Sequence, residues 1–287
     1  MWFFLALACA LAWSVSDAIA KKILADSDAL TVAAVRQLYC LPFLWILLPF
    51  IRIPELGPGF VSTVLILLPF EISATLLYIA ALKRSPLSLT LPYLSFTPVF
   101  IVGTAYLLLG ERVTPAGLLG IVCVTFGAYV LNTGKEGGGF LEPLRALMKE
   151  KGSIMMLCVA AIYSITGTLG KKAILLSSPE FFAVLYATVV AVVLIPIAAF
   201  EKGRPPLKKQ LRPGKWILAM GFFFALMIVL HNLSIRLIEV PYMISVKRSS
   251  MIFGVLFGWL FFQEREIRSR LLGSAIMLAG IALILLF

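Results

Sequence analysis

Six ionisable side chains stand inside long apolar stretches of this chain: Asp17, Arg36, Glu71, His231, Lys247 and Arg248. A charge in such a setting is costly unless it is paired, hydrated or bound to a ligand, so each is a functional candidate by default. Lys247 and Arg248 are adjacent, and two neighbouring cations need carboxylate partners, water or an anionic ligand. A lysine offers a point charge and an arginine a planar fork, a donor set suited to phosphate or carboxylate. Glu71 falls in the middle of its apolar run, with Thr75 and Tyr78 following at helical spacing. A carboxylate there suits a coupling proton or the cationic part of a solute, and the alternative is a salt bridge to Arg36, Lys247 or Arg248. His231, the only histidine, adjoins Asn232, and both suit interhelical hydrogen bonds. Arg36 lies two turns into its run and either snorkels to the surface or pairs inside. Asp17 precedes Lys21 by four residues, the spacing of a helix-end ion pair.

The same residues exclude other chemistry. One histidine and well-separated carboxylates do not assemble an acid, a base and a nucleophile, so no catalytic set is expected. Cys9, Cys40, Cys123 and Cys158 all sit in apolar runs without metal-ligand spacing, where a thiol behaves as a small hydrophobe. Gly167 to Lys171 has the wrong spacing for a phosphate loop.

The elements that carry these groups are set by composition. Of 287 residues, 61% are hydrophobic and 14% charged, far beyond the roughly 45–50% apolar usage of soluble domains. Apolar runs bounded by charge, Pro and Gly predict ten membrane helices at 2–20, 30–50, 61–82, 86–109, 114–132, 153–176, 180–200, 215–235, 240–262 and 269–287. The first run is read as an uncleaved helix, because it lacks the charged leader of a signal peptide. Residues 133–152 read as a linker, glycine-rich at first and then an amphipathic surface helix from Phe140 to Lys151. Pro92 and Pro98 should bend the fourth span, and Gly254 and Gly258 mark close packing on the ninth. The net charge of +11 resides in short connections rather than in a basic domain. The lipid bilayer, not nucleic acid, is therefore the expected partner.

The chain repeats itself. Trp13, Ser14, Val15, Ser16, Lys21 and Lys22 recur 150 positions later as Tyr163, Ser164, Ile165, Thr166, Lys171 and Lys172. Towards the ends of the halves the offset is 153: Glu111, Arg112, Gly120 and Gly127 recur as Glu264, Arg265, Gly273 and Gly280. Residues 1–132 and 153–287 are thus two copies of a five-helix unit, and an odd number of spans inverts the second copy relative to the first. Ser14 enters the candidate site through this recurrence. Glu71, Lys247 and Arg248 break the symmetry, since their counterparts are Phe224, Leu94 and Ser95. Glu111 and Glu264 are expected to hold helix ends.

The run from Tyr78 through Ala80, Ala81, Leu82, Ser85 and Pro86 to Pro98, Leu109, Gly110, Glu111 and Arg112, with Gly120, Gly127, Glu264, Gly273 and Gly280, resembles the drug/metabolite transporter superfamily and its ten-helix EamA-type carriers. That resemblance implies an all-α membrane carrier without a cofactor, with a cavity lined by helices 1–4 and 6–9. Val246, Lys247, Arg248, Ile252 and Glu264 are similar to the ninth helix of the plastid sugar-phosphate translocators, in which such a pair grips phosphate. Apart from Arg36, the first half has no third phosphate-binding cation.

Connections 1–2, 3–4, 5–6, 7–8 and 9–10 carry 17 Lys and Arg, and the others carry 5. The positive-inside rule puts the first set in the cytoplasm and both termini outside, whereas the resemblance favours cytoplasmic termini. The expectation is a multi-pass secondary transporter of the cell membrane that moves a small polar metabolite by alternating access. The solute is anionic or zwitterionic, an organic phosphate, carboxylate or amino acid. It is held by Lys247, Arg248, Glu71 and Arg36, with Tyr78, His231, Asn232 and Ser14 around it. A coupling proton, an exchanged solute and a second copy of the chain are further candidate partners. An exporter of cationic or amphipathic compounds, a membrane enzyme and a non-transporting scaffold are the alternatives.

Overall fold

The computed structural model describes residues 1–23, 27–85, 90–133, 150–200, 214–262 and 268–286, all helix or short connection with no strand among them. The helices are α1 (Trp2–Ile23), α2 (Ala29–Trp45), α3 (Phe60–Arg84), α4 (Thr97–Leu109), α5 (Pro115–Thr133), α6 (Lys151–Leu175), α7 (Pro179–Phe200), α8 (Lys215–Leu237), α9 (Val240–Lys247), α10 (Ser250–Phe262) and α11 (Arg268–Leu286). Six segments, including a 3-10 turn at Leu91–Phe96 joined to α4, are long and apolar enough to cross a bilayer. Shorter apolar helices lie at Ala29–Trp45, Pro115–Leu131 and Leu271–Leu286, and α9 with α10 supplies the ninth span in two pieces. Ten helical segments thus stand where the sequence predicts ten. The surface helix expected from Phe140, the connection at 201–213 and Glu264 with Arg265 lie outside the described residues.

Proline and polar residues explain the departures from the expected bounds. The second span ends at Trp45 rather than at residue 50, with Pro42 inside it and a 3-10 turn at Leu48–Phe50 beyond; each proline lacks an N–H for the helical ladder. In the fourth span Pro92 begins the 3-10 turn and Pro98 occupies the first turn of α4, where a missing donor is tolerated. The ninth span is interrupted at Arg248–Ser249, where no proline stands. The position equivalent to Ser249 by the 153 offset is Phe96, the last residue of the 3-10 turn, so the two related spans break at matching points.

Helices pack in antiparallel pairs. Along α1 and α8, Ser234 donates to the Trp2 carbonyl (2.9 Å), Cys9 Sγ to the Met227 carbonyl (3.5 Å) and Ser16 to the Met220 carbonyl (3.1 Å). Those contacts step seven residues along each helix in opposite directions, the register of a coiled-coil seam. α3 packs on α6, α2 on α7 and α5 on α11. At the last seam Gly120 faces Gly280 and Gly127 faces Gly273, with backbone against backbone. Exchanging the two halves maps this set of pairs onto itself.

Candidate functional site

Trp13 on α1 is the centre of a polar cluster in the middle of the bundle. The Arg36 guanidinium from α2 lies 5.1 Å from its ring centre and 4.6 Å from that of Phe224 on α8, and the Lys247 ammonium lies 4.9 Å from the Trp13 ring. Cations over aromatic faces keep a charge in a low-dielectric interior at reduced cost. Arg36 also forms an ion pair with Asp17 of α1. Arg36, 16% exposed, thus pairs between helices, and Asp17, 50% exposed, reaches across to another helix. Tyr78 on α3 lies within electrostatic range of both.

Lys247 Nζ stands 3.3 Å from His231 Nδ1. With the ammonium donating, the imidazole takes the Nε2–H tautomer. Glu71 is hydrogen-bonded to Thr166 of α6 and lies within electrostatic range of Lys247, Tyr163 and Tyr186. No ion pair joins Glu71 to Arg36, Lys247 or Arg248 among the described residues. Arg248 Nε is buried and has no hydrogen-bond partner there; Tyr163 lies within electrostatic range of it. Three cations, Arg36, Lys247 and Arg248, therefore face two carboxylates, Asp17 and Glu71. Arg36, Glu71, Tyr78, Tyr163, Tyr186, His231, Lys247 and Arg248 are all half-buried rather than sealed. Such an interior can bind an anionic group at Arg248 and a donor at Glu71, with aromatic walls between them.

Two expected members stand apart. Asn232 donates to the Ile228 carbonyl of its own helix (2.8 Å) and is buried. Ser14 is buried against α10, 3.8 Å from where a methyl on Gly254 would lie; Gly254 is exposed and makes no close backbone approach there, and Gly258 lies among the residues whose surroundings are not described. Sequence reasoning missed Trp13, Tyr163, Tyr186, Phe224 and Thr166. The signal was present: Tyr186 is the counterpart of Arg36, Phe224 of Glu71 and Tyr163 of Trp13, while His231 is that of Tyr78. Applying the offset to each expected residue would have found Tyr186 and Phe224, but not Trp13 and Tyr163, which are counterparts of each other, nor Thr166, the counterpart of Ser16.

Glu111 holds helix ends, as expected. One carboxylate oxygen pairs with Lys171 near the end of α6, and the other accepts the Val240 N–H at the start of α9 (2.8 Å). Lys171 also donates to the Ile238 carbonyl (2.7 Å).

The model of the EamA-like transporter family matches residues 1–133 and again 150–286, once per half. An Archaeoglobus fulgidus protein described as an uncharacterized transporter is 24% identical over 98% of this chain and 97% of its own length. A crystal structure at 18% identity superposes with a TM-score of 0.73, covering 99% of this chain and 96% of that one; it shares the fold. With the family matched twice over nearly the whole chain, the chain belongs to the EamA-like transporter family of the drug/metabolite transporter superfamily, a membrane transporter rather than an enzyme.

Proposed function

We propose that this transporter moves an anionic or zwitterionic metabolite by alternating access, with Arg248 and Lys247 binding its anionic group and Glu71 its cationic or hydroxyl donor. The observation that carries the reading is the excess of cations around Trp13, with Arg248 unmatched. A half-buried guanidinium whose Nε is shut off from water and which has no carboxylate partner is costly, and an anionic ligand offsets that cost with two parallel hydrogen bonds. His231 orients the Lys247 ammonium, and the Asp17–Arg36 pair fixes the opposite wall.

The mechanism rests on inverted repeats. Gly120 with Gly280 and Gly127 with Gly273 pair in opposite chain directions, although α5 and α11 are the same element of the two copies. That antiparallel pairing supports an inversion of one copy relative to the other, and rocking of such halves exposes a central site to each side in turn. Lysine- and arginine-rich connections alternate along the chain with poorer ones, and the positive-inside rule places the richer set in the cytoplasm. On the same reading the chain resides in a cell membrane, with a proton at Glu71 or a second solute as the coupled species.

Thermal-shift measurements on purified protein test the site. Organic phosphates, carboxylates and amino acids should include a ligand that raises the melting midpoint, since binding to the folded state alone adds about 2.7 kcal/mol at 100-fold excess over Kd. Arg248→Lys keeps the charge and loses the fork, so it should weaken that ligand's binding about tenfold, in the range of one lost charge-assisted bond. Labelled solute should then exchange faster across proteoliposomes preloaded with unlabelled solute. Stabilisation by cations alone, or full binding in both Lys247→Ala and Arg248→Ala proteins, overturns the anion site.

A further inference from the structure

The end of the bundle that carries the 2–3, 4–5, 6–7 and 8–9 connections is tied by more than packing. α4 finishes at Gly110, whose φ of +70 suits glycine, with Gly110 N–H bonded to the Tyr106 carbonyl (3.0 Å) and Glu111 N–H to that of Ala105 (3.3 Å). This left-handed glycine end turns the chain back and aims Glu111 across the bundle. Its carboxylate then bridges Lys171, in the last turns of α6, to the first N–H of α9. Both partners suit the helix ends they occupy: an ammonium near a C-terminus and a carboxylate at an N-terminus complement the backbone dipoles. The Lys171 and Glu111 side chains are only 8% and 12% exposed. Tyr242 of α9 adds a second tie, its hydroxyl accepting the Thr114 N–H (2.8 Å), and the Gly57 N–H reaches the Leu176 carbonyl (2.8 Å).

Gly167 stands one turn before Lys171 on the same helix, next to Thr166 of the central cluster. The Glu111–Lys171 bridge therefore lies between the cluster and this end of the bundle. From this geometry we infer that Glu111 and Lys171 form a latch that holds this exit shut, and that its release is the step that opens the site to this face. The inference rests on the transporter reading, but its test needs no solute.

A cysteine at Gly167 reports on the path. A Cβ there meets only Ile101 Cδ1 at 3.8 Å and Val240 Cγ1 at 4.0 Å, so the side chain fits. With Cys9, Cys40, Cys123 and Cys158 replaced by alanine, Gly167→Cys is labelled with an impermeant thiol reagent from each face of the membrane. Glu111→Gln and Lys171→Met should each raise labelling from the latched face about tenfold, the shift expected when one of two states loses a charge-assisted contact. Lys171→Arg, which keeps the charge and two donors, should label like the parent. Unchanged labelling in the folded Glu111→Gln and Lys171→Met proteins overturns the latch, and so does loss of monodisperse protein in both, which would make the bridge a fold element. Absence of transport for every solute tried, with labelling as expected, would instead count against the transported-solute reading alone.

Discussion

A methyl group at Gly127 would place its Cβ 2.6 Å from the Gly273 carbonyl oxygen and 2.7 Å from both the amide nitrogen and Cγ of Met277. Ordinary contact begins at 3.4 Å, and two of these three neighbours are backbone, so no rotamer change relieves the clash. Gly127→Ala must push α5 and α11 apart by about 0.8 Å, a gap that forfeits about a quarter to a half of each dispersion contact along the seam. In a bilayer the apolar effect between helices is absent and packing carries the association. The expected loss is about 1–3 kcal/mol, the range of overpacked cores. Gly273→Ala meets the Gly127 carbonyl at 2.7 Å and the Leu131 amide nitrogen at 2.6 Å, the same contact from the other side. The second methyl enters a gap the first has opened, so the double variant should lose less than the sum of the singles, with a coupling of about 0.5–3 kcal/mol. Gly103 is the control: nothing lies within 4 Å of its Cβ position, and alanine there should be neutral or stabilise by up to about 1 kcal/mol through helix propensity. Detergent-mediated unfolding titrations read all four proteins. A Gly127→Ala protein as stable as the Gly103→Ala protein, or strictly additive losses at Gly127 and Gly273, would refute the close seam.

Three further outcomes follow from named contacts. Ser16→Ala and Ser234→Ala each remove one hydrogen bond between α1 and α8 and should each cost about 0.6 kcal/mol in the same unfolding titration. Trp13→Ala takes the aromatic face from both Arg36 and Lys247, and should lower the melting midpoint by several degrees while Trp13→Phe recovers most of it; equal melting of the two variants would show that the ring face does not hold the cations. For topology, a cysteine at Arg52 should react with an impermeant reagent on intact cells and one at Lys151 should not, both positions being exposed and at opposite ends of the bundle; the reverse pattern would put both termini in the cytoplasm.

The sequence made the number of helices legible because a bilayer demands apolar runs of fixed length. It made the pairing of halves legible because the offsets of 150 and 153 can be read without a structure. Which groups meet was harder. Arg36 finds Asp17 on another helix, Glu71 finds Thr166 rather than a cation, and Asn232 turns back to its own helix. In a soluble helix the polar face marks the outside and so fixes rotation about the axis. Here lipid and interior are both apolar, the pattern that fixes rotation is largely erased, and interhelical partners follow from register that single helices do not reveal. The Lys171 bridge was hidden for the same reason: Lys171 stood out only as a repeat of Lys21, and its partner Glu111 comes from 60 residues away.

The two kinds of contact between the halves obey different rules, and the difference explains where symmetry is kept and where it is lost. At the α5–α11 seam each glycine meets a glycine of the other copy, and Gly120 and Gly127 are repeated as Gly273 and Gly280. Small residues gain from duplication, because a backbone approach made once by one copy is made again by the other. Charges at the centre behave oppositely. If residues near a two-fold axis were duplicated, each cation would face its own copy, and two such like charges in a low-dielectric interior would both need partners to offset their repulsion. The central positions accordingly pair unlike residues: Arg36 with Tyr186, Glu71 with Phe224, Lys247 with Leu94 and Arg248 with Ser95. Each charge then meets an aromatic ring, a hydroxyl or an opposite charge, as in the Arg36 contacts with Phe224 and Asp17. The polar groups at the centre are therefore arranged asymmetrically, with the unmatched cation Arg248 between α9 and α10 and the carboxylate Glu71 on α3.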